Sequence, residues 1–220
     1  MEAFFTKKTA IFLGVLGILG SLVLFSGDML FYYNGNETDL LANMGKVSSQ
    51  RIMLSGVSAL LGTWLYVAGA GEIYYAFLPE KAKIRWTVFL SFVMIMIAYG
   101  IIHAAYVAIA TSAQNATLLG APLQETSQLA IDVNQLLRTI VYLPFAVFTL
   151  GFTISVWKKR TKYPRWVLIF SPILPFLLQG VLVGNLSGKA KTIFGGGFFN
   201  LILLFFFLGT TLALLFSHDQ

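Results

Sequence analysis

AIFLGVLGILGSLVLFSGDMLFYY, residues 10–33, carries a single charged side chain, Asp28, and follows the pair Lys7-Lys8. As a helix rising 1.5 Å per residue, this stretch spans about 36 Å, enough to cross the roughly 30 Å hydrocarbon core of a bilayer. A basic pair ahead of an apolar core also begins secretory signals. Here the apolar part is too long and no small-x-small cleavage site follows cleanly, so the stretch reads as an uncleaved membrane helix.

Five further stretches have the same character, at about 52–78, 86–111, 136–157, 166–185 and 192–216. The fold class that follows is all-α: a polytopic transmembrane bundle of six helices, forming a single integral membrane domain over residues 1–220. Composition agrees. The chain is 57% hydrophobic and 11% charged, with a mean hydropathy of +0.79, whereas a water-facing domain keeps roughly 25% charged residues to wet its surface.

The net charge of +6 invites a nucleic-acid reading, but its placement argues against one. Ten basic residues cluster in three places: Lys7 and Lys8; Lys81, Lys83 and Arg85; and Lys158, Lys159, Arg160, Lys162 and Arg165. The alternate connections hold Lys46, Arg51, Arg138, Lys189 and Lys191, scattered over greater length. The positive-inside rule then places both termini in the cytoplasm, and Trp86, Trp157 and Trp166 fall at the same boundaries.

The connections near 34–51 and 112–135 are the longest on the outer side and too short to fold alone. Three Asn-x-Ser/Thr sequons, at Asn36, Asn115 and Asn185, fall on that side. The chain has no cysteine, which removes thiolate metal sites, disulfides and thiol exchange. It also tilts the expected location toward a bacterial inner (plasma) membrane. With two histidines, one of them the tail residue His218, neither a metal nor another cofactor is expected.

Packing signals are local. Gly14, Gly17 and Gly20 recur every three residues, and Ser55, Ala59, Gly62 and the run Ala68–Gly71 give the second helix a matching small-residue strip. Pro144, Pro172, Pro175 and the triplet Gly195–Gly197 mark places where helices kink or loosen. Pro122 opens an amphipathic extension ahead of the fourth span, with Leu129, Val133, Leu136, Leu137 and Ile140 on one face. Glu125, Gln128, Asp132, Gln135 and Thr139 lie opposite, so the extension is expected to roof the bundle or lie along the headgroups.

Counting depth along each helix yields the functional clue. Asp28, His103, Gln179 and Asn200 lie on four different helices, all roughly 8–12 Å beneath the outer interface. Arg138 enters slightly above them, and Tyr99 and Tyr106 flank His103 at helical spacing. Ionisable groups in hydrocarbon are costly and face a partner or a wet cavity, so Asp28 is expected to pair with Arg138 or His103. Glu72, near the inner end of the second helix, is expected to reach the interface and meet Lys81 or Arg85.

These seven residues define an expected ligand pocket: Asp28, Tyr99, His103, Tyr106, Arg138, Gln179 and Asn200. The leading expectation is a protein that binds or translocates a small molecule, ion or lipid there. A metal-free enzyme acting on a lipid through an Asp–His pair is the first alternative, and an accessory or structural subunit of a membrane complex is the second. Expected partners are the lipid bilayer, with a small-molecule or lipid ligand, a second copy or another membrane protein left open, and no nucleic acid.

Overall fold

The computed structural model describes residues 6–33 and 39–217, and its regular elements among them are all helical. In chain order they are α1 (Lys7–Tyr32), α2 (Leu40–Lys46), α3 (Ser49–Ala76), α4 (Ala82–Leu119) and α5 (Leu123–Trp157). A 3-10 helix (Arg165–Phe170) follows, then α6 (Ile173–Leu177), α7 (Gln179–Gly184), α8 (Gly188–Gly196) and α9 (Phe198–Phe216). Among the described residues, α1, α3, α4, α5 and α9 are each long and apolar enough to cross a membrane. The sequon at Asn36 and the tail residue His218 lie outside the described residues.

The expected fifth helix, 166–185, is not one helix. Pro172 and Pro175 remove backbone donors and clash with the preceding turn, and the stretch resolves into the 3-10 helix, α6 and α7. The pieces still run antiparallel beside α9. The Phe170 ring lies 4.4 Å from that of Phe205, and the Phe176 ring 6.1 Å from that of Phe199. The expected last helix, 192–216, is likewise divided, with Gly197 standing between α8 and α9.

The outer connection 112–135 carries the helix expected from Pro122 onward, and residues 112–119 are helical as well. Hydropathy falls away there, but good helix formers continue, so α4 runs on to Leu119 and α5 starts at Leu123. Gly120, at φ +66°, takes the left-handed conformation that closes α4, and Pro122 precedes the first turn of α5. At 38 residues α4 is about 57 Å long, well beyond a bilayer core. The extension neither roofs the bundle nor lies flat. It packs along α4 with Ser127 and Asn134 buried, and Asn134 Nδ2 donates to Ile102 O at 3.1 Å. The leucine stripe faces outward instead, with Leu129 77% and Leu136 61% exposed.

Close approach of α1 and α3 rests on glycine. A Cβ placed on Gly69 would lie 2.7 Å from Gly17 Cα, so backbone meets backbone at this crossing. α9 closes the seam, its Phe207 ring packing on Gly17 and stacking 6.0 Å from Tyr66.

The start of α1 and the end of α9 meet at one end of the bundle, where Lys7 Nζ donates to Ser217 O. Lys162 N donates to Ala76 O at 2.8 Å, tying the 158–164 turn to the end of α3. The ten clustered basic residues therefore share this end with Trp86, Trp157 and Trp166, all partly exposed.

Glu72 corrects one expectation. It is fully buried rather than at the interface, against α9 and the 158–164 turn. Thr211 Oγ1 donates to its Oε2 at 3.2 Å and Tyr163 Oη to its Oε1 at 3.3 Å. Its wall on α1 is Gly14, where a Cβ would come within 2.4 Å of Glu72 Oε2. Burial first, and the neighbouring Glu72 carboxylate second, hold the Tyr163 phenol well above its usual range.

Candidate functional site

The opposite half of the bundle holds the polar layer. α1 supplies Asp28, buried between α4 and α9. Its neighbour Gly27 is what lets α1 come so close, because a Cβ there would lie 2.9 Å from His103 Nε2. Four helices then share one chain of polar contacts. Tyr66 Oη donates to Asn200 Oδ1 at 2.9 Å, and Asn200 Nδ2 donates to Asp28 Oδ2 at 2.7 Å. Asp28 Oδ1 lies 3.2 Å from His103 Nδ1, and His103 Nε2 lies 3.0 Å from Ser55 Oγ.

Proton counting constrains this chain. Ser55 Oγ donates its only proton to Gly27 O at 2.8 Å, so toward His103 it accepts, and Nε2 carries a hydrogen. The two bonds of Asn200 also fix its amide orientation, since only one arrangement accepts from Tyr66 and donates to Asp28.

Arg138 does not join Asp28. From α5 its Nη1 donates to Tyr106 Oη at 3.2 Å, and its guanidinium carbon stands 4.9 Å above the Phe199 ring. Of the two pairings expected for Asp28, the structure forms the one with His103.

A cavity of about 190 Å³ opens beside this network, and all seven residues singled out in the sequence line it. Asp28, His103 and Asn200 form one wall, Arg138 and Tyr106 another, and Gln179, the first residue of α7, a third. Tyr99 contributes a hydroxyl with no hydrogen-bond partner among the described residues. The remaining surface is apolar and aromatic, chiefly Leu24, Val141, Phe145, Phe176 and Phe199.

Depth counting overlooked Ser55 and Tyr66. They stand eleven positions apart, about three helical turns, and so share one face of α3. That spacing was the available signal, but Ser55 reads equally as one more small packing residue. The aromatic wall was also missed, because Phe145, Phe176 and Phe199 look like any lipid-facing phenylalanine in sequence. Among the described residues no three His, Asp or Glu side chains converge as metal ligands would.

The model of a family of unknown function, DUF6796, matches residues 5–216. The chain belongs to this family. The match takes in α1 through α9, and with them every cavity residue of this DUF6796 member. No curated protein and no solved structure matches the chain. Its long apolar helices are those of an integral membrane protein.

Proposed function

We propose that this DUF6796 protein binds a small molecule or lipid in the cavity of its outer half, as a receptor or as one state of a transport cycle. The supporting observation is convergence: α1, α4, α5, α7 and α9 each direct a polar side chain at the same small volume. Polar groups that serve only to hold helices together need no space beside them. Here several border a cavity, and the Tyr99 hydroxyl is left unspent. Native mass spectrometry of the protein extracted from its membrane tests the reading. Wild type is expected to retain a bound molecule that Val141→Trp, which fills the cavity, releases. A bare wild-type spectrum, or the same bound mass on both proteins, counts against it.

A second reading has an observation of its own. Ser55, His103 and Asp28 stand in the order of a hydrolase triad, with serine oxygen on Nε2 and carboxylate on Nδ1. Two features weigh against acyl transfer. Ser55 is fully buried and does not line the cavity. Its proton goes to Gly27 O, so the serine–histidine bond runs opposite to the direction that activates a nucleophile. A fluorophosphonate probe is accordingly expected to leave Ser55 unlabelled, and labelling lost in Ser55→Ala would restore the enzyme reading.

A further inference from the structure

Asp28 stands 3.2 Å from His103, and no other carboxylate among the described residues lines the cavity. Arg138 remains as a full positive charge, half-buried, with no carboxylate within ion-pair distance among the described residues. One of its five N–H groups is spent, on Tyr106 Oη, and Phe199 holds its face. Arg51, at the same end of the bundle, is a useful contrast. Its guanidinium donates to Met29 O at 2.9 Å and Tyr33 O at 2.8 Å, closing the end of α1. It is committed to the fold, and Arg138 is not.

Building on the ligand-binding reading above, we propose that the cavity selects an amphipathic monoanion, its single carboxylate or phosphate-type group on Arg138 and its apolar body among Val141, Phe145, Phe176 and Phe199. A guanidinium offers paired N–H groups that match such an oxyanion, and the Tyr99 hydroxyl lines the same cavity as a further donor. The apolar surface rejects a fully hydrated inorganic ion. Size sets a further bound: an apolar cavity of about 150 Å³ takes up a benzene-sized molecule, and this one is about 190 Å³. The enclosed part of the ligand is therefore a ring-sized body or one end of a longer chain. A soluble organic acid and an acidic lipid both satisfy this chemistry.

Calorimetric titration of the detergent-purified protein with benzoate and with benzyl alcohol, matched in ring and differing in charge, tests the charge requirement. A parallel arm compares lipid retained from phosphatidylglycerol and phosphatidylcholine nanodiscs by native mass spectrometry. Wild type is expected to prefer the anionic member of at least one pair by tenfold or more. Arg138→Gln should abolish that preference with the melting temperature unchanged, while Arg138→Lys keeps part of it. A preference confined to benzoate assigns the ligand to water, and one confined to phosphatidylglycerol assigns it to the bilayer. Equal binding of charged and neutral probes, lost in Val141→Trp, overturns the anion assignment and leaves the cavity reading standing. Binding of no probe by wild type overturns both.

Discussion

Asp28 carries much of the account, because three helices depend on its two oxygens. Asn200 holds one and His103 the other, so losing the carboxylate leaves both of these buried side chains without their partner. A buried polar group left unpaired costs about 1–3 kcal/mol. Asp28→Leu is therefore expected to lower stability by about that much, and Asp28→Asn by about 1 kcal/mol or less, since a carboxamide still accepts from one neighbour. Unfolding in mixed detergent micelles measures both, and a Leu variant as stable as wild type would remove the network from the account. Glu72 extends the argument to the other half of the bundle. Glu72→Gln keeps an acceptor for Thr211 or Tyr163 and is expected to fold, whereas Glu72→Lys puts a cation among hydroxyl donors and should not yield folded protein. That Asp28, His103, Gln179 and Asn200 share one level of the bundle could be read from sequence because rise per residue is a local property. The partner of Asp28 could not, because it depends on how far each helix is rotated about its own axis.

Helices α1 and α3 show which parts of an element are written locally. Glycine at three-residue spacing predicts a close crossing, and Gly17 meets Gly69 where the strips cross. Gly69→Val is expected to push α1 away from α3 at a cost of about 1–3 kcal/mol, as overpacking does. It should also loosen the Ser55–Gly27 hydrogen bond further along the same seam, and detergent stability of Gly69→Val measures the effect. The 165–196 stretch is less legible. Its apolar residues over 166–185 match a spanning helix, but Pro172 and Pro175 break that run, a further break falls at 185–187, and Gly197 separates α8 from α9. The α4–α5 hairpin misleads in the opposite direction, because hydropathy marks where lipid ends and not where a helix ends. Asn134 and Ser127 pack inward there while leucines point out. An apolar stripe identifies the buried face only when the surroundings are water.

For the molecule as a whole, one end of the bundle carries ten basic residues and three tryptophans, and the other carries the cavity. By the positive-inside rule the first end is expected to be cytoplasmic. The natural absence of cysteine makes this directly testable by introduced thiols. Lys158→Cys and Leu119→Cys, exposed at opposite ends, are expected to react with an impermeant maleimide from the inner and outer faces respectively. The same cysteine-free background gives the most direct test of the central claim, that the polar layer faces a cavity open to the outer side. Gln179→Cys, on the cavity wall, should react with a small hydrophilic methanethiosulfonate added outside, while Phe148→Cys, in the packed core, stays inert. A Gln179→Cys protein as unreactive as Phe148→Cys, or one labelled only from the side that reaches Lys158→Cys, would contradict it.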